Sequence, residues 1–101
     1  MIGRGTTPTH SFTLPMGASN VKRIRVIYSQ GDKVILKIDD SRFSINGTTA
    51  KVTLTQKETL LFNSSQPVDI QLRIVTKGGD SLVSDLIRTP VGVLLDDEVL
   101  E

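Results

Sequence analysis

Apolar residues alternate with polar ones along most of this chain, most clearly in Val68–Ile74, where every second residue is aliphatic. Successive side chains of a β-strand point to opposite faces of a sheet, so this pattern places one apolar face against a core. The same alternation runs through Val21–Gln30 and Lys33–Ile38. Turn-forming residues separate such segments roughly every ten residues, which is the spacing of a β-sandwich or barrel.

This pattern predicts an all-β fold, namely a single antiparallel β-sandwich of about seven strands with an Ig-like organisation. One domain should cover residues 1–101. No segment predicts the crossover helix that a parallel sheet requires. The predicted strands are Thr9–Leu14, Val21–Gln30, Lys33–Ile38, Arg42–Ile45, Ala50–Leu54, Val68–Ile74 and Ser81–Thr89, with a further short strand within Val91–Leu95.

Two short motifs predict how neighbouring strands are joined. Asn46 and Gly47 predict a β-hairpin with a type I′ turn, in which both central residues need a positive φ. Thr55, followed three residues later by Glu58, predicts a capping box and therefore one short helical turn near residues 56–60.

The segment Ser81–Thr89 has an ambiguous apolar phase, because neither of its two faces is consistently polar. A β-bulge could switch the phase midway along it. The two candidate faces are Leu82, Ser84 and Leu86 on one side and Val83, Asp85 and Ile87 on the other.

The two ends of the chain are predicted to differ in order and in charge. Residues 1–8 are rich in Gly and Thr and should form a loose arm. Residues 96–101 form an acidic tail. Packing on the core is favoured over docking on another subunit for Val91–Leu95, whereas both alternatives stay open for Val99 and Leu100.

Catalytic and metal-binding constellations are missing from the sequence. The chain has no Cys, which excludes thiol nucleophiles and Cys-based zinc sites. His10 is the single histidine and no G-x-S-x-G motif accompanies it, so a strand histidine is favoured over a Ser-His-Asp triad. Asp39 and Asp40 are adjacent and should point to opposite faces, so a solvated turn is favoured over calcium binding. We therefore expect no enzyme, no metal and no cofactor.

Charge and hydropathy give no reason to expect a nucleic acid, a membrane or a small-molecule substrate as partner. Twelve basic and eleven acidic residues nearly cancel. No apolar run approaches the roughly 18 residues of a membrane span, and the first residues lack the apolar segment of a signal peptide. Lys22, Arg23 and Arg25 form a local basic cluster, for which a solvated outer face is favoured over a patch that binds acidic groups.

Five short motifs are spread over the whole chain. They are Arg4–Pro15 (RGTTPTHSFTLP), Tyr28–Lys33 (YSQGDK), Leu54–Leu60 (LTQKETL), Gly78–Asp80 (GGD) and Leu95–Leu100 (LDDEVL). Together they resemble the motifs of a group of small proteins encoded in prophages of Firmicutes. The organisation is also similar to the N-terminal β-sandwich domain of siphophage baseplate proteins.

The resemblance implies a non-enzymatic structural or assembly protein of a phage, in the tail or baseplate region. It further implies other phage structural proteins as partners, and localisation in the host cytoplasm during assembly and in the virion. Homo-oligomers are a further possibility, and an Ig-like binding module or adaptor for a host protein or glycan is the alternative. The candidate interface residues are Arg4, Thr6, Thr7, Arg23, Arg25, Leu94, Leu95, Val99 and Leu100.

Overall fold

A computed structural model describes residues 1–84, 86–96 and 98–100, which form ten strands and one α-helical turn. The predicted all-β fold is confirmed, whereas the predicted number of strands is too low, because short terminal segments pair and the last long strand is divided. The Ig-like sandwich stays a prediction. The elements are β1 (Ile2–Gly3), β2 (Thr9–Thr13), β3 (Val21–Gln30), β4 (Lys33–Asp39), β5 (Phe43–Asn46), β6 (Thr49–Thr53), α1 (Gln56–Thr59), β7 (Val68–Thr76), β8 (Ser81–Val83), β9 (Ile87–Thr89) and β10 (Val91–Gly92).

The largest sheet has five strands in the order β4-β3-β7, with both β8 and β9 paired to the free side of β7. All of its pairs are antiparallel. Residues of β3 and β7 that lie opposite each other, such as Val26 and Leu72, have side chains on the same inner face of the sheet, where they are buried. The predicted alternation of β3 and β7 is therefore confirmed.

A second sheet has three antiparallel strands in the order β2-β6-β5. Its inward residues and those of the larger sheet belong to one core cluster, so the two sheets share a core. The buried apolar residues are Ile2, Leu14, Ile24, Val26, Tyr28, Ile38, Ala50, Val52, Leu54, Phe62, Val68, Ile70, Leu72, Ile74 and Val91.

The hairpin between β5 and β6 exists, but the predicted type I′ turn is wrong. Asn46 is the last residue of β5 and pairs with Thr49, so Gly47 and Thr48 are the two turn residues. Gly47 has a φ of 60° and no non-glycine residue has a positive φ among the described ones. A positive φ at the first central residue alone is the pattern of a type II′ turn. The turn is also held from outside, because the backbone N–H of Leu14 donates to the Thr48 carbonyl at 2.7 Å.

The predicted capping box at Thr55 is confirmed. The Thr55 side chain accepts from the Glu58 backbone N–H, and the Glu58 carboxylate accepts from the Thr55 N–H at 2.9 Å. Arg42 then donates twice to the same carboxylate, at 2.8 and 2.9 Å. The short helix α1 is thereby fastened to the connection between β4 and β5.

The prediction of a loose arm over residues 1–8 is wrong for its first residues. Ile2 is buried and pairs with Val91, in a parallel two-stranded sheet of β1 and β10. The sheets of this fold are therefore not all antiparallel. The Ile2 N–H donates to the Pro90 carbonyl at 2.9 Å. The N-terminal segment and the end of the chain are held side by side as a result.

Within the ambiguous segment Ser81–Thr89, the described residues form two separate short strands, β8 and β9, and Ser84 follows the end of β8. The Ser84 N–H donates to the Leu72 carbonyl, and the Ser84 hydroxyl accepts from the Leu72 N–H, both at 2.9 Å. Ser84 thus provides hydrogen-bond partners for the N–H and carbonyl of Leu72 where the strand pairing of β7 is interrupted. The predictions that concern Asp85, Asp97 and Glu101 lie outside the described residues.

Candidate interaction surfaces

The first surface is a groove between the two termini, next to α1. Its volume is about 370 Å³. Gly5 needs its left-handed backbone here, at a φ of 75°, and a Cβ on it would lie 2.8 Å from Leu94. The groove is lined by Gly5, Thr6, Thr7, Gln56, Leu94, Asp96, Glu98 and Leu100.

Helix α1 holds both walls of this terminal groove. The Gln56 side chain donates to the Leu100 carbonyl and accepts from the Leu100 N–H, each at 2.8 Å. On the other wall, the Thr59 hydroxyl donates to the Thr6 carbonyl at 2.9 Å. We call the described residues Asp96, Glu98, Val99 and Leu100 of the predicted tail the acidic segment. It is attached to the rest of its own chain at Leu100.

The candidate interface residues of the termini divide into structural and exposed ones. Arg4 donates to the Leu60 carbonyl at 3.1 Å and packs beside α1, so it helps to hold the N-terminal segment. Leu94 is half-buried against Gly5. Leu95, in contrast, is 100% exposed. Thr6, Thr7, Val99 and Leu100 are also exposed, which leaves them accessible to another molecule.

The second surface is the part of the outer face of the five-stranded sheet where three arginines of β3 and β7 lie together. Arg23 and Arg25 alternate with buried residues of β3 and share the outer face, as predicted. Arg25 lies directly opposite Arg73 of β7. The three arginines line a shallow depression of about 180 Å³ together with Ile24 and Val75. We call Arg23, Arg25 and Arg73 the arginine face.

Two aspartates of the connection after β4 neutralise part of the arginine face. Arg23 donates to Asp40 at 2.8 Å and Arg25 donates to Asp39 at 2.5 Å. The hydrogen bond from Arg25 lowers the pKa of the Asp39 carboxyl below its usual value. Arg73 was recognisable from the sequence as a polar-face residue, but its position opposite Arg25 depends on a register that sequence alone does not give.

The third surface is the edge formed by β8 and β9, which sequence reasoning identified only as a strand of uncertain phase. Both strands pair with β7 on one side, and the described residues place no further strand on their other side. Four aliphatic side chains are exposed along this edge, including Val83 at 55% and Leu86 at 62%. We call β8 together with residues 86–89 the apolar edge. Its four exposed aliphatic residues are Leu82, Val83, Leu86 and Ile87.

The residues considered for chemistry do not converge. The His10 Nδ1 lies 2.6 Å from the Tyr28 hydroxyl, on the inner side of β2. Burial lowers the pKa of the His10 imidazole and raises the pKa of the Tyr28 phenol. Asp39 and Asp40 each pair with a different arginine. Within residues 1–84, 86–96 and 98–100, no three His, Cys, Asp or Glu side chains form a group that could hold a metal ion.

The sequence was compared with models of known protein families and with curated proteins, and neither comparison gives a match. The similarity to small prophage proteins thus stays a prediction from the motifs quoted above. Of the helices in the described part of the chain, none is both long and apolar enough to cross a membrane.

Proposed function

We propose that this chain is a non-enzymatic structural or assembly protein of a phage, in the tail or baseplate region, that acts through protein–protein contacts. The observation that carries the proposal is the apolar edge, which exposes Leu82, Val83, Leu86 and Ile87 on strands whose free side no other described strand covers. The motif resemblance supplies the phage context.

Backbone groups of the apolar edge are available for pairing. Asp80 and Ser84 both bond to β7, through Thr76 N–H to the Asp80 carbonyl and Ser84 N–H to the Leu72 carbonyl. Bonding groups alternate along an antiparallel strand, so Ser81 and Val83 direct theirs away from β7. Such an edge can accept a strand from another protein, with main-chain bonds giving affinity and side chains giving specificity.

The opposite edge of the same sheet is less suited to this role. Strand β4 carries Lys33 and Lys37, and its pairing with β3 is irregular between Tyr28 and Ser29. Edge lysines and bulges are devices by which proteins discourage strand addition. The apolar edge has neither in Ser81–Val83. Burying an exposed aliphatic side chain contributes up to about 1.5–3 kcal/mol, so a partner strand would gain most at the apolar edge.

A glycan-binding role is less well supported than protein binding. Glycan sites usually offer an exposed aromatic platform, and the chain has four aromatic residues in total. Tyr28 and Phe62 are fully buried, while Phe12 and Phe43 pack against the core. Of the two partners considered for a binding module or adaptor, a host protein is therefore better supported than a glycan.

The proposal is tested by inducing the parent phage and analysing purified particles and assembly intermediates by mass spectrometry. We expect the chain in one of these fractions at a reproducible ratio to the tail proteins. Val83→Glu should reduce this ratio at least tenfold, because it adds a charge to the edge, whereas Lys51→Glu on β6 should not change it. Circular dichroism would confirm that both variants are folded. Absence of the wild-type chain from particles and intermediates alike would contradict the proposal.

A further inference from the structure

The arginine face places two like charges against each other on the central strands of a sheet. Arg25 and Arg73 are register partners, and Arg23 is opposite Val75 on the same face. Directly opposed like charges destabilise a β-sheet. This pair therefore destabilises the folded chain, and a negatively charged ligand on this face would offset the repulsion.

The local aspartates leave part of this positive charge uncompensated. Arg23 and Arg25 have ion pairs with Asp40 and Asp39 respectively. Among the residues that the structure describes, Arg73 forms no ion pair. The arginine face therefore has an excess positive charge, next to the apolar side chain of Val75.

The acidic segment at the end of the chain has the complementary character. Asp96 and Glu98 are exposed and held in one turn, since the Glu98 N–H donates to an Asp96 carboxylate oxygen at 3.0 Å. Within the described ranges neither acid forms an ion pair. The exposed Val99 and Leu100 add apolar surface beside them. The sequence adds two more acids, Asp97 and Glu101.

Asp96 and Glu98 of the acidic segment line the groove beside α1, and neither is among the residues that line the arginine face of the same copy. Gln56 of α1 fixes the acidic segment by two hydrogen bonds to Leu100. The arginines of its own copy are bound instead to Asp39 and Asp40. A second molecule is thus the natural source of an acid for the arginine face.

We propose that the acidic segment around Asp96 and Glu98 of one copy docks on the arginine face of a second copy. The proposal rests on the assembly role above and names one of its contacts. Because the two surfaces differ, the contact is heterologous. A dimer formed by it still has one free acidic segment and one free arginine face, so further copies can add to give a ring or an open chain. It should be weakened by salt, which screens charges beyond about 8–10 Å at 0.1–0.15 M.

Sedimentation velocity over a concentration series, at low and at high salt, tests this contact. We expect wild type to associate at low salt, with the association constant falling at least tenfold at high salt. Arg73→Glu should abolish association, and so should the double variant Asp96→Lys with Glu98→Lys. Lys51→Glu, which has the same charge change as Arg73→Glu, and Asp32→Lys, which reverses one acidic side chain at another exposed site, should leave it within twofold of wild type.

A mixture of the two deficient proteins distinguishes the heterologous contact from any other. The Arg73→Glu chain keeps its acidic segment, and the Asp96→Lys, Glu98→Lys chain keeps its arginine face. Mixed, they should form a dimer and nothing larger, since each contributes only one working surface. A monomeric wild type, association that survives either charge reversal, or a mixture that stays monomeric would each overturn the proposal. Detection of the chain in phage particles does not depend on this result, so the two proposals fail separately.

Discussion

Arg25 and Arg73 lie directly opposite each other on β3 and β7, on the face of the sheet that points away from the core. Asp39 bonds to Arg25 from the strand on the other side. Arg25 therefore lies between Asp39, which attracts its charge, and Arg73, which repels it. The repulsion can be removed by substitution of Arg73.

Replacement of Arg73 by Glu should stabilise the folded chain. The change converts a like-charge cross-strand pair into an opposite-charge pair, which is worth about 0.2–1 kcal/mol in the free energy of unfolding. Urea unfolding at low salt measures it, and the gain should shrink at high salt. Lys51→Glu, far from any opposed arginine, serves as the matched control. An Arg73→Glu protein that unfolds at a lower urea concentration than wild type would contradict the claim that repulsion between Arg25 and Arg73 destabilises the fold.

Removal of the Thr55 hydroxyl should destabilise the corner at α1. Thr55→Ala leaves the Glu58 N–H without its cap acceptor, and the loss of an N-cap typically costs about 1 kcal/mol. Chemical unfolding of the variant measures the loss. Ser41→Ala, an exposed hydroxyl deletion elsewhere, should be close to neutral. Equal losses in the two variants would mean that the capping box contributes nothing specific.

Gln30 should be among the most sensitive polar positions of the chain. Its side chain is 5% exposed and bonds three backbone groups, the N–H and carbonyl of Asn63 and the carbonyl of Gln66, at 2.7–2.9 Å. Gln30→Leu keeps the volume but leaves these groups without partners, which should cost about 2–4 kcal/mol. Gln66→Leu, the same change on an exposed side chain, should stay within about 0.5 kcal/mol of wild type. A stability of Gln30→Leu equal to wild type would contradict this role.

Stability should fall as the pH decreases below about 6.5, because of His10. Burial lowers the pKa of its imidazole from the usual 6.5, so the unfolded chain takes up a proton at a pH where the folded chain does not. His10 is the chain's single histidine, and the carboxyl groups whose pKa is lowered, such as Glu58, titrate in a more acidic range. His10→Gln should therefore remove most of the slope between pH 7.5 and 5.5, in urea unfolding at roughly half-unit intervals. A parallel slope in wild type and variant would rule out His10 as its source.

Features encoded by neighbouring residues were predictable from the sequence. The capping box of Thr55 and Glu58 joins residues three apart, and the alternation of β3 and β7 needs only one strand at a time. The hairpin at Asn46 was predictable as a hairpin but not by turn type. The two turn residues are Gly47 and Thr48 instead, and Thr48 accepts a hydrogen bond from Leu14, which follows β2 and is distant in the sequence.

Features that depend on distant partners were not predictable. Ile2 looked like part of a loose arm because its partner, Val91, lies at the other end of the chain. Arg73 acquired its significance only through its register with Arg25. The apolar edge was predicted only as a strand of ambiguous phase, because its exposure results from the lack of a neighbouring strand on its free side among the described residues.

The central claim, that the apolar edge joins this chain to another phage structural protein, is tested most directly by site-specific photo-crosslinking. A photoreactive residue would be placed at Val83, or at Lys51 as control, in cells in which the parent phage is induced. The proposal predicts a discrete cross-link from position 83 to one tail or baseplate protein, with none from position 51. Equal, diffuse cross-linking from both positions, or a cross-link from position 83 to a host protein alone, would contradict it.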